Sequence, residues 1–349
     1  MENQNSQITY REIMRQPEAF SAINQNLPTI LSVLDHVFSE PVDELIFTGC
    51  GTSFYLAQSA AFMFAGKNQM GSSAVPCSEL YYFPQNYIKP HRKTLVVPIT
   101  RKSYTTEVRM AIDKVRQFPN VKSLSITCDA DSATYNDFMI HSPNADEKSV
   151  IMTSSYSSML YLSAILADYA AGVFDQAKLA DYPVKARTSL MRIEEWARKI
   201  IMENPHLNLF VMLGQGVYQG VANESMNKIK EMGIANSESY HTLEYRHGPM
   251  SLADDRTLIL VLTDSATRKF DFDLQKQMQT FGSVTAALGN LGGQVDGCKY
   301  QLDLDLDLEA AYIAPIASFV GQLTGYFISL QKNINADQPR NLSQAIVLP

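Results

Sequence analysis

Short apolar runs rich in β-branched residues alternate along this chain with longer stretches whose apolar positions recur at helical spacing. Glu44–Gly49 (ELIFTG), Thr94–Ile99 (TLVVPI), Lys122–Cys128 (KSLSITC) and Phe138–His141 (FMIH) predict buried strands. Ser53–Phe64, Thr105–Phe118 and Ser158–Ala170 predict amphipathic helices between them. That order implies a parallel sheet with helices on both faces. The pattern then recurs. Asn208–Gly214 (NLFVMLG) runs into Gly214-Gln215-Gly216, a helix follows over Val221–Met232, and Thr257–Thr263 (TLILVLT) supplies the next strand. The matching first turn, Gly49-Cys50-Gly51, lies about 165 residues earlier. The fold class is therefore α/β: two doubly wound, flavodoxin-like three-layer αβα domains, joined through the charged helical stretch around Asp181–Lys199. The boundaries expected are a helical arm at 1–30, domains at 31–180 and 195–335, and an extended tail at 336–349. Ala314–Leu330 predicts a long apolar helix, and the closing Ala345–Leu348 (AIVL) predicts docking of the tail on the body.

Composition narrows the class. The length of 349 residues suits two domains, each able to bury its own core. Hydrophobic residues at 46% and charged residues at 19% describe an ordinary globular chain. A net charge of -7 argues against nucleic acid as a partner, since no basic excess is present to displace counterions. Cys50, Cys77, Cys128 and Cys298 show no metal-ligand spacing, so free thiols are expected, and neither a metal nor a disulfide framework. The polar start, with Glu2, Arg11, Glu12 and Arg15, lacks a signal-peptide core. The apolar runs read as too short to cross a bilayer. No membrane association and a cytoplasmic location are expected.

Candidate chemistry gathers at strand ends. Gly49-Cys50-Gly51-Thr52-Ser53 follows a strand and opens a helix, where backbone amides and two hydroxyls suit an anion; a plain structural turn is the alternative. It lacks the GxGxxG form, so no nicotinamide cofactor is expected. Thr100-Arg101-Lys102-Ser103-Tyr104-Thr105 ends the next strand, and parallel strands deliver both loops to one edge. Phosphate binding is the reading there, against helix capping by Ser103 or Thr105. A third hydroxyl run, Thr153–Ser158, reads as a loop where a further strand returns to that edge. Glu224, Lys228 and Glu231 share one helical face, which for the first two suggests a salt-bridged surface stripe. Glu231 and the later His247, before Gly248-Pro249, suit proton transfer on a sugar. The remaining histidines, His241 included, show no partner pattern.

Taken together these stretches resemble the SIS (sugar isomerase) family, and within it the isomerase half of glucosamine-6-phosphate synthase. TYREIMRQPEAF at Thr9–Phe20, GCGTSFYLA at Gly49–Ala57, ANESMNKIKEMGIANSESYHTLEYRHGPMSL at Ala222–Leu252 and ADQPRNLSQAIVLP at Ala336–Pro349 carry the resemblance. It implies that the first domain holds a sugar phosphate through Gly51, Thr52, Ser53, Thr100, Arg101, Lys102, Ser103 and Thr105, with Val150 and Thr153 from the third loop. Glu224, Lys228 and Gln344 complete the implied substrate contacts, and the tail closes the site. Glu231 would move a proton between C1 and C2, and His247 would assist ring opening. A homodimer or dimer of dimers with shared sites is also implied, and no cofactor is required.

Departures from the synthase pattern redirect the expected reaction. Where the synthase has the lysine that opens fructose-6-phosphate as an imine, this chain has Gln344, and the third-loop lysine is Ser154. No glutaminase domain with its nucleophilic N-terminal cysteine is expected ahead of the isomerase helix. A substrate already bearing nitrogen needs neither lysine nor ammonia. The expected activity is therefore that of a fructosamine-6-phosphate deglycase, giving hexose-6-phosphate and a free amine. Arg101 and Lys102 are candidates for phosphate or carboxylate contacts, equally weighted with an exposed basic pair. The alternatives are a phosphosugar isomerase or amino-sugar-phosphate deaminase using the same Glu231, or a non-catalytic sugar-phosphate sensor.

Overall fold

The computed structural model describes residues 7–294 and 296–348; Glu2 and Pro349 lie outside them. The chain divides into two compact units. The first takes Arg15–Val184 and the chain from Asn341; the second takes the chain up to Met14 and Lys185–Arg340. The ends are thus exchanged: α1 (Gln7–Met14) belongs with the second unit and the last residues with the first. In the second unit Asp337 holds the start of α1, its Oδ1 accepting from the Thr9 amide at 2.7 Å.

In the first unit α2 (Gln16–Gln25) and α3 (Leu27–Val37) precede β1 (Glu44–Gly49), α4 (Thr52–Lys67) and β2 (Gly71–Pro76). The short α5 (Cys77–Tyr82) and α6 (Pro84–Tyr87) lead to β3 (Thr94–Thr100), α7 (Thr106–Val115), β4 (Val121–Thr127), β5 (Phe138–His141) and α8 (Ser154–Ala170). The strands are all parallel, in the order β2-β1-β3-β4-β5. Every residue of β3 is buried, because helices cover both faces of such a sheet.

Helix α9 (Tyr182–Glu203) carries the chain across the unit boundary. The second unit continues with β6 (Leu209–Gly214), α10 (Val217–Gly233), β7 (Asn236–Tyr240), β8 (Thr257–Thr263), α11 (Arg268–Thr280), β9 (Val284–Gly289) and β10 (Tyr300–Asp303). It ends with α12 (Ala310–Ala317) and α13 (Phe319–Gln331). Its parallel order β7-β6-β8-β9-β10 repeats that of the first unit.

The repeat extends to the backbone of both glycine turns. Gly51 and Gly216 occupy the same left-handed-side conformation (φ 53°, ψ -124° and φ 59°, ψ -126°), which a Cβ would strain. A Cβ on Gly49 or Gly214 would stand 2.7 Å from the Ser53 carbonyl carbon or 2.5 Å from the Tyr218 carbonyl oxygen. Each first glycine therefore lets its helix close onto its strand.

Two expectations are corrected here. The Ala314–Leu330 helix is two helices, because Pro315 lies inside α12 and the chain re-starts at Ser318. Ala310–Gln331 is also long and apolar enough to cross a membrane by length and composition, contrary to the expectation of short runs only. In the fold 94% of an 18-residue window of that stretch is buried, so it behaves as core.

Helix α13 approaches α10 through glycines four apart. A Cβ on Gly321 would meet the Ser225 Cα at 2.3 Å, and one on Gly325 the Lys228 carbonyl oxygen at 2.6 Å. Gly325→Val should therefore force the helices apart and cost about 1–3 kcal/mol, the usual range for overpacking. A urea unfolding midpoint equal to that of the unsubstituted protein would contradict this close contact.

Candidate functional site

β1 and β3 are neighbours whose connections depart to opposite sides, which makes the ends of these two strands the topological switch point of the first sheet. At the end of β1, Gly51 is the N-cap of α4 and makes no side-chain cap. Thr52 and Ser53 form the first helical positions, each 6% exposed. The amides of the first turn and the positive end of the helix dipole suit an anion there.

At the end of β3 the loop is braced from within. Thr100 and Thr105 donate their hydroxyls to the Lys102 carbonyl at 2.7 and 3.3 Å. The Ser103 amide donates to Asp129 Oδ2 at 2.8 Å. Burial works against the Asp129 charge, yet the Ser103 and Asp131 hydrogen bonds and nearby Lys102 hold its carboxyl below the usual range. Thr105 sits at the N-cap of α7 but does not cap it. Instead the tail does so: the Thr106 amide donates to the Ile346 carbonyl at 3.1 Å, and the Leu348 amide donates to Thr106 Oγ1 at 3.1 Å. The tail thus docks through its backbone, while the side chains of Ile346, Val347 and Leu348 stay exposed.

Arg101 and Lys102 are not the exposed basic pair that was one of the two alternatives. Arg101 is 3% exposed and pairs with Glu147 at 3.1 Å. Its Nη2 donates to the Val150 and Gln344 carbonyls, each at 2.9 Å. Lys102 pairs with Asp146 at 2.7 Å. The Gln344 side-chain amide donates to the Lys148 and Ser149 carbonyls at 2.8 and 3.2 Å.

The third hydroxyl run also differs from expectation. No strand runs into Thr153, and Ser154–Ser158 form the buried first turns of α8 rather than a loop. The buried Glu147 carboxylate takes the Thr153 hydroxyl at 2.9 Å, the Ser155 amide at 3.0 Å and the Ser155 hydroxyl at 2.6 Å. Glu147 escaped the sequence reading; the available signal was a carboxylate shortly before a hydroxyl-rich helix start.

On α10 in the second unit, Glu224, Lys228 and Glu231 come together as an ion-paired array, buried rather than a surface stripe. Lys228 Nζ lies 3.1 Å from Glu224 Oε1 and 2.5 Å from Glu231 Oε2. Burial opposes the Lys228 charge, but the two carboxylates outweigh it and raise its pKa above the ordinary lysine value. Glu231 also accepts from Asn227 Nδ2 at 2.9 Å, and its side chain is 21% exposed. Each Glu231 oxygen is therefore held by one donor while the group keeps an open side, an arrangement able to take and return a proton. Asn227 was missed, although its position four residues before Glu231 marks it as a neighbour on the helix.

His247 stands on a separate loop, between the 3-10 turns Glu244–Arg246 and Pro249–Leu252, with Gly248 at φ 126° allowing the reversal. Buried Tyr245 and the Arg246–Gln277 hydrogen bond of 3.0 Å anchor this loop. Among the described residues no hydrogen bond joins His247 to the α10 array. His241 does have a partner, contrary to expectation: its Nδ1 lies 2.9 Å from Gln215 Oε1 in the second glycine turn. Among the described residues no group of three or more His, Cys, Asp or Glu could hold a metal ion.

Comparison with known proteins accounts for this plan. Residues 41–168 match the SIS domain family. The first unit therefore carries a SIS domain. The D-galactosamine-6-phosphate deaminase of Escherichia coli is 29% identical over 290 residues, which is 78% of this chain and 74% of that protein. A glutamine–fructose-6-phosphate aminotransferase (isomerizing) of Sulfurisphaera tokodaii is 22% identical over 97% of this chain, a match spanning 56% of the longer enzyme. The crystal structure of glucosamine-6-phosphate deaminase from Thermotoga maritima has a TM-score of 0.81 at 27% identity, covering 97% of this chain and 99% of that one.

Proposed function

We propose that this protein moves a proton between C1 and C2 of a 6-phosphorylated sugar that already carries nitrogen, and then releases the nitrogen by hydrolysis of an imine. The observation that carries this is Glu231, held on both oxygens by Lys228 and Asn227 yet open on one side. Thr52 and Ser53 at the start of α4, with the loop after β3, are assigned to the phosphate. His247 is assigned to ring opening, taking the anomeric hydroxyl proton and returning one to the ring oxygen.

On an aldosamine phosphate, Glu231 takes the C2 proton, the electrons move into an enaminol, and the proton returns to C1. The C2 imine then adds water and expels ammonia, leaving a ketose phosphate. On a 6-phosphofructosamine the same path runs from C1 to C2 and frees hexose-6-phosphate and an amine. Relatives named as deaminases of D-galactosamine-6-phosphate and glucosamine-6-phosphate favour the first substrate over the deglycase expected from sequence. Gln344, with an amide that forms no imine, supports the need for nitrogen already on the substrate.

The test is a panel of glucosamine-6-phosphate, galactosamine-6-phosphate, phosphofructosamines of several amino acids, and fructose-6-phosphate. Ammonia and ketose phosphate are expected from an aldosamine phosphate. Release of an amino acid from a phosphofructosamine at a higher kcat/KM would instead select the deglycase. Fructose-6-phosphate turned over as fast as the best amine-bearing compound would overturn the proposal.

A further inference from the structure

Arg101 joins three segments of the first unit that are far apart in sequence: the loop after β3, the 147–150 turn and the C-terminal tail. Its charge is met inside the protein, by the Glu147 carboxylate, on a side chain that is 0% exposed. Glu147 in turn holds the start of α8, where it takes the place of an external anion. With its charge neutralised there, Arg101 directs Nη2 at two carbonyls, Val150 and Gln344, while Nη1 also donates to the Ser149 carbonyl at 3.3 Å. Gln344 then reaches back to the carbonyls of Lys148 and Ser149, so tail and turn are laced in both directions. Two residues further on, the Ile346 carbonyl caps the Thr106 amide of α7.

We propose that Arg101 and Glu147 are positioning residues: a resident ion pair that holds the C-terminal tail on the first unit and thereby fixes the loop after β3, without itself contacting a ligand anion. The planar fork of arginine is what allows one side chain to serve the carboxylate and these carbonyls. Lysine offers a single point charge and cannot reproduce that geometry.

Residue-level hydrogen exchange on the full chain tests this without any substrate. The Thr106 amide reports tail docking, and the Ser53 amide, bonded to the Cys50 carbonyl at 3.1 Å, is the internal control. Arg101→Lys keeps a charge for Glu147, so the fold should survive while the tail loosens. Thr106 protection should fall at least about tenfold, the loss of a charge-assisted hydrogen bond, with Ser53 protection unchanged. Arg101→Gln and Glu147→Gln should lower Thr106 protection at least as far. A chain ending at Arg340 should match them, and Arg101→Lys should add nothing in that shortened chain. Unchanged Thr106 protection in Arg101→Lys would overturn the proposal. So would an equal fall at Ser53, or a further fall in the shortened chain.

Discussion

Glu231→Gln is expected to lower turnover of the best amine-bearing 6-phosphate by about 10²–10⁴-fold, the range for removing a positioned general base. The substitution is isosteric, and the amide oxygen can still accept from Lys228 or Asn227, whichever it faces. The other donor then meets an NH2 group, at a stability cost of about 1 kcal/mol. Steady-state rates and a thermal melt on the same sample separate chemistry from folding. Near-normal turnover would remove Glu231 from the base role and leave the sensor reading in its place.

Lys228→Met should be the most damaging single change for stability, about 3–5 kcal/mol, because it leaves carboxylates beside it without their cation in a buried place. Glu224 bears most of this, with a side chain only 1% exposed. Urea unfolding at neutral pH measures it, and a loss below about 1 kcal/mol would show that the array is not held by charge. The pH dependence has a definite sign. The folded-state pKa of Lys228 is raised, so its contribution is complete below the ordinary lysine value of 10.5. It is lost as pH climbs through the higher folded value. The unsubstituted protein should therefore keep this increment across neutral pH and lose it only in alkali, where the two proteins converge.

Both expectations concern a helix identified from sequence, yet their magnitudes come from packing. The spacing of Glu224, Lys228 and Glu231 is the same on a surface helix as on a buried one. What buries Lys228 is the approach of α13, where Gly321 and Gly325 admit the α10 backbone. A salt-bridged stripe was thus right in its partners and wrong in its environment, and the environment sets the energy.

The chain's periodicities determined the repeated strand–glycine turn–helix plan, because β1, β3, β6 and β8 are buried on both faces and must be written as continuous apolar runs. Strands β2 (GSSAVP), β7 (NSESY), β9 (VTAALG) and β10 (YQLD) escaped that reading: β2, β7 and β10 are edge strands with one partner and little apolar demand, whereas β9 is central and buried. The glycine turns, and the placing of Glu231 on a helix and of His247 beside a turn, were also legible, since local backbone geometry and helix spacing depend on neighbours in sequence. Tertiary structure alone decided which cations were committed. Arg101 looked available for a ligand, and its partners Glu147 and Gln344 stand 46 and 243 residues away. A buried charge takes whichever opposite charge and carbonyls the fold brings to it, and no local pattern records that choice.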